Sequence, residues 1–74
     1  MVRLPRVTAK EMVAILSKLG FSIARHSGSH AIYKNMYGLR ATVPMHGNTV
    51  LHPKIIKTIL KDIGISTEDM RNYL

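Results

Sequence analysis

The stretch Phe21-Ser22-Ile23-Ala24-Arg25-His26-Ser27-Gly28-Ser29-His30-Ala31-Ile32-Tyr33-Lys34-Asn35 decides the fold. From Phe21 to His26 the residues alternate, Phe21, Ile23 and Arg25 against Ser22, Ala24 and His26, which is the two-residue period of an extended strand. Ser27-Gly28-Ser29 supplies turn residues, and an extended pattern resumes from His30 to Asn35, so the reading is a β-hairpin. Met36-Tyr37-Gly38 makes a second tight connection. Leu39, Ala41 and Val43 then share one face of a third strand, with Arg40 and Thr42 on the other. Pro44, which has no amide hydrogen for a ladder, is expected to end that strand.

Helical patterns flank the three strands. Thr8 followed by Glu11 has the form of a capping box, and Met12, Ile15, Leu16 and Leu19 recur at helical spacing until Gly20, predicting a helix over about Ala9 to Leu19. Met45 to Leu51 has no usable period and reads as a loop. Pro53 suits a first helical turn; beyond it Ile55, Ile56, Ile59, Leu60 and Ile63 line one face, with Lys54, Lys57 and Lys61 on the other, until Gly64. Ser66 and Asp69 pair as a second capping box before a short final turn through Met70 and Tyr73. The order is α-β-β-β-α with a helical tail. A small antiparallel meander can bury its apolar face only under the two amphipathic helices, so the expected fold is α+β and double-stranded-RNA-binding-domain-like.

At 74 residues with 46% apolar content, the chain is expected to be one globular domain spanning residues 1–74. It has no cysteine, hence no disulfide and no thiolate metal site. No apolar run approaches the roughly 20 residues of a membrane span. Residues 1–6 carry no signal-peptide-like stretch, so the expected compartment is the cytoplasm and no membrane partner is expected. The net charge is +7, and its distribution is uneven: residues 1–61 hold ten basic side chains and one acid, Glu11, whereas the remainder holds Asp62, Glu68 and Asp69 against Arg71. Counterion release rewards binding of such a surface to nucleic acid. The basic residues are spread over several elements, which disfavours a membrane-surface helix.

Chemistry has few candidates. Four carboxylates, three of them near the C-terminus, leave little basis for a paired-carboxylate site or a magnesium cluster. No glycine-rich nucleotide loop precedes a helix, and no Asp sits near Ser29-His30 to build a triad. Four histidines remain. His30 follows the glycine turn at a hairpin tip, where an imidazole can exchange a proton near neutral pH while Gly28 and Ser29 amides hold a phosphate oxygen. In RNA the adjacent 2′-hydroxyl is a built-in nucleophile, so a general base plus charge stabilisation suffices without a metal or other cofactor. The competing reading of His30 is an ordinary turn or sheet histidine. His46, two positions beyond Pro44, is a second proton-transfer or phosphate-contact candidate, or simply a loop residue. His26 and His30 lack the further ligands that zinc requires, and His52, before Pro53, reads as a helix-start residue. Arg25, Lys34, Arg40, Lys54, Lys57 and Lys61 are the candidates for holding an RNA backbone. Tyr33 and Tyr37 can stack on bases, but one Phe and three Tyr are too few for an aromatic platform, and core packing is the simpler account.

Gly20-Phe21, Arg25-His26-Ser27-Gly28-Ser29-His30, Val43-Pro44-Met45-His46, Ile59-Leu60-Lys61 and Gly64-Ile65-Ser66 fall in an order and spacing that resembles the HicA-type mRNA interferase toxins over about Thr8 to Ser66. The resemblance implies a double-stranded-RNA-binding-like fold and an endoribonuclease of a type II toxin–antitoxin system; the scarcity of carboxylates and the placed imidazole make the expected mechanism metal-independent. The resemblance also implies mRNA as substrate, a HicB-type antitoxin as partner, and His30 in the place of the family's catalytic histidine. Gly28 and Ser29 then shape its turn, and His46 occupies a position often filled by histidine. The chain departs from the family where many members carry Pro-Gly-Thr-Leu at the start of the second helix and it has His52-Pro53-Lys54-Ile55. The rivals are a non-catalytic double-stranded-RNA-binding module and a DNA-binding regulator. The second lacks the short-turn helix pair of a helix-turn-helix.

Overall fold

A computed structural model describes residues 6–45 and 50–74. Helix α1 (Ala9–Lys18) leads into strands β1 (Ser22–Ser27), β2 (His30–Lys34) and β3 (Arg40–Pro44), followed by α2 (Pro53–Ile63) and the short α3 (Thr67–Arg71). The strands form one antiparallel sheet in the order β1-β2-β3, so β2 is central and β1 and β3 are edges. This is the α+β meander the periodicities predict.

Local chemistry sets the boundaries. The Thr8 hydroxyl accepts from the Glu11 amide at 3.1 Å while the Glu11 carboxylate accepts from the Thr8 amide at 3.0 Å, closing a capping box that satisfies two of the helix's orphan donors. At the other end the Phe21 amide donates to Leu16 and the Gly20 amide to Ser17, at 2.9 and 3.1 Å. This six-to-one plus five-to-two pattern needs a left-handed residue, and Gly20 supplies it at φ +89°. The apolar seal of that motif is Phe21 on Leu16, both buried. Helix α2 starts on His52, whose Nδ1 accepts from the Lys54 amide at 3.1 Å, with Pro53 in the first turn. Helix α3 opens on the Ser66–Asp69 capping box.

The core is the slab between the sheet and the helices. Ala31, Tyr33, Ala41 and Val43 point inward from β2 and β3, against Met12, Ile15 and Leu16 of α1 and Ile56, Ile59 and Leu60 of α2. Burying each such large side chain is worth roughly 1.5–3 kcal/mol. Both helices lie nearest β3, and β1 overhangs them with every residue exposed.

Three details differ from the sequence reading. First, the strict alternation through β1 is broken by a bulge between Ile23 and Arg25: Ile23 pairs with Tyr33, but Arg25 pairs with Ile32. Ala24 is the extra residue, and it turns Arg25 onto the face opposite to the one Ile23 shares with Tyr33. Second, Pro44 ends β3 as expected, but as its last paired residue, opposite His30. Met45 donates to the Ser29 carbonyl just beyond this pair. Antiparallel alternation therefore makes His30↔Pro44 a non-hydrogen-bonded pair, where the edge strand needs no donor toward β2. Third, the chain before α2 is not all irregular, because Val50 forms a β-bridge with Thr8 and the Leu51 amide donates to Val7 at 2.8 Å. Residue pairing over so short a span leaves no periodicity to read.

Candidate functional site

Site geometry begins with the tight turn after β1. Ser27 pairs with His30, leaving a two-residue loop of Gly28 and Ser29, and Gly28 has φ +58° while no other residue type in the described chain has a positive φ. Glycine first in a two-residue hairpin loop is the sign pattern that matches the right-handed twist of the flanking strands. The turn carbonyl of Ser29 is held by the Met45 amide, which ties the hairpin tip to the end of β3.

Register then sorts the polar side chains. His30, Ile32 and Lys34 face away from the core on β2, opposite Pro44, Thr42 and Arg40 on β3. On β1 the register set by the turn places Arg25 opposite Ile32 and Ser27 opposite His30 on the same face. Arg25, His30, Lys34 and Arg40 are all exposed there, so one face of the sheet is basic. The acids are elsewhere: Glu11 and Asp69 are engaged in helix caps, Asp62 is on α2 and Glu68 on α3. His26 is opposite Ala31 and therefore on the helix-side face, across the sheet from His30. The two imidazoles cannot converge on one ion.

At the end of the sheet where β2 begins and β3 ends, a crevice of about 310 Å³ opens between the outer face and α2. His30, Thr42 and Pro44 line it from the sheet, and Lys54, Ile55 and Thr58 from the helix. Its volume is at the small end of the ligand-site range. His30 is thus exposed, backed by a fixed β-ladder, and facing a space that also holds a cation. Lys54 is placed by the His52 cap and by its own carbonyl, which accepts from the Thr58 hydroxyl at 2.9 Å. With Nδ1 accepting, Nε2 is the ring nitrogen of His52 left to donate.

The structure brings His30 and Lys54 together in the crevice, leaves Gly28 and Ser29 in the turn directly before His30, and puts Arg25, Lys34 and Arg40 on the adjoining sheet face. Lys57 and Lys61 are exposed further along α2 and do not line the crevice. Candidate His46 lies outside the described residues. Sequence reading missed Thr42 and Thr58, two hydroxyl-bearing crevice residues. Their spacing relative to His30 and Lys54 becomes visible only once strand register and helix phase are both fixed.

A search of curated proteins finds no match to this chain. The model of a family described as the HicA toxin of bacterial toxin–antitoxin systems matches residues 9–65, from the first residue of α1 to just past α2, which is well over half the chain and includes the hairpin turn, the crevice and the basic face. The chain belongs to the HicA toxin family.

Proposed function

We propose that this protein is the endoribonuclease toxin of its toxin–antitoxin pair, cutting RNA without a metal ion. The observation that carries the reading is the exposed His30 sharing one crevice with Lys54 at the end of a basic sheet face. His30 takes the proton from the ribose 2′-hydroxyl, and that oxygen attacks the adjacent phosphorus. The bond to the 5′-oxygen breaks, the departing oxygen takes a proton from water, the hydroxide left behind is neutralised by the proton on His30, and the products are a 2′,3′-cyclic phosphate and a 5′-hydroxyl. Charge grows on the nonbridging oxygens during attack, and Lys54, with the amides of the Gly28-Ser29 turn, is the source of compensating positive potential. Arg25, Lys34 and Arg40, and beyond the crevice Lys57 and Lys61, hold the RNA backbone. His46, two residues past Pro44, is retained as an auxiliary proton-transfer or phosphate group. An acidic HicB-type antitoxin that covers this face silences the toxin by occupying the same electrostatic ground.

Cleavage of RNA by the purified protein in EDTA, with product ends typed for cyclic phosphate, tests the mechanism. Cutting that stops on chelation and returns with magnesium overturns the metal-free route. A non-catalytic RNA-binding module is separated by His30→Ala, since equal cutting by the parent and the variant would trace the activity to a contaminant.

A further inference from the structure

The hairpin turn between β2 and β3 lies at the opposite end of the sheet from His30. There Met36 and Tyr37 are 86% and 80% exposed. The other aromatic residues are used differently: Phe21 and Tyr33 are buried and Tyr73 packs against the core. The turn that carries Tyr37 is well braced. The Asn35 side-chain oxygen accepts from the amides of Tyr37 at 3.0 Å and Leu39 at 2.9 Å, its own amide donates to the Leu39 carbonyl at 3.1 Å, and its carbonyl accepts from Gly38 at 3.2 Å. An aromatic ring mounted on a preorganised loop loses little freedom when a ligand covers it.

Directly behind this turn, Lys34 is paired with Arg40 across the ladder. The Asn35–Leu39 hydrogen bond makes the next pair inward a non-hydrogen-bonded one, so the two cations occupy the closer kind of cross-strand position on the face they share with His30. Like charges set directly opposite destabilise a sheet, and an anion lying across them relieves the repulsion. Polyanion binding thus gives this pair a purpose that folding does not.

We propose that Tyr37 stacks on an unpaired base of the RNA strand whose phosphate is held by Lys34 and Arg40, making the β2–β3 turn a second recognition point away from the cleavage crevice. The inference rests on the ribonuclease reading and names a substrate-selecting element for it. His30 and Lys34 are four positions apart on β2, about 13 Å at strand rise, so the RNA crosses the sheet with a few nucleotides between cut and stack. Single-stranded or loop RNA fits this arrangement, because only an unstacked base offers its face to a side chain.

The chain contains no tryptophan, so Tyr37→Trp installs a unique fluorophore at the turn. Its emission is expected to be quenched by single-stranded oligoribonucleotides and not by a blunt duplex of equal charge, a readout that does not require cleavage. In steady-state cleavage of an oligonucleotide length series, Tyr37→Ala is expected to raise KM about tenfold for strands long enough to reach the turn, a modest value for loss of one base–aromatic stack. It should leave kcat and the shortest substrates unchanged, and Tyr37→Phe should behave as the parent. Tyr37→Ala with KM within twofold of the parent at every length, or unquenched Tyr37→Trp emission on saturation with RNA, overturns the proposal. Quenching without cleavage by any form would leave the stacking site standing and defeat the ribonuclease reading. An RNA-indifferent Tyr37→Ala that weakens only antitoxin binding would reassign the turn to the protein partner and overturn the proposal.

Discussion

His30 is presented by what surrounds it in the chain. Gly28, at φ +58°, lets the backbone reverse in two residues, so the imidazole emerges on the first rung of β2 rather than on a loose loop. His30→Ala is expected to lower the cleavage rate about 10²–10⁴-fold, the usual worth of a positioned proton-transfer group, while RNA affinity stays within a few fold. Single-turnover cleavage beside equilibrium binding checks both halves. A Cβ on Gly28 meets no atom within 4 Å, so Gly28→Ala brings conformational strain without a clash. The expected loss is about 1–2 kcal/mol in urea unfolding, the cost of the left-handed region for an L-residue.

Helix α2 and the β2–β3 ladder each carry a test of their own. His52 caps α2 through Nδ1, and Lys54, two residues on, depends on that first turn for its place in the crevice. His52→Ala is expected to destabilise the fold by about 0.5–2 kcal/mol, and His52→Asn, which retains a capping acceptor, by much less. Thermal melts of the two variants check the difference. In the ladder, Lys34→Gln removes the like-charge pairing with Arg40. The free protein should become more stable by about 0.2–1 kcal/mol, while RNA affinity falls. Opposite signs in the two measurements are the signature of a residue kept for a ligand; a loss in both would instead make Lys34 structural.

For the whole molecule, the proposed function assigns RNA binding to the basic sheet face and leaves the helices to support it. Arg25, Lys34 and Arg40 all sit on the face turned away from the core, so each should contribute to affinity through counterion release. Neutralising any one is expected to reduce the slope of log affinity against log salt by about 0.7 for a single strand, which a salt titration of binding measures. Sequence preference should be unaffected by Arg25→Gln, because a phosphate contact positions the strand without reading bases. No helix among the described residues is long and apolar enough to cross a membrane.

Periodicity and end signals were enough to order the elements: two capping boxes, Pro53 in the first turn of α2 and the Gly28 turn are each local pairings of a few neighbouring residues, and local hydrogen bonding fixes them wherever they occur. The place of His30 at the start of β2 was legible too, because a histidine directly after a two-residue glycine turn has few places to go. Register and the partnering of distant segments were not. The bulge at Ala24, which puts Ile23 and Arg25 on opposite faces, depends on how β1 pairs with β2, and the crevice exists only because Lys54 and Thr58 of α2 pack beside Thr42 and Pro44 of β3. Those contacts join residues far apart in the chain, and it is the burial of the shared apolar slab that selects them.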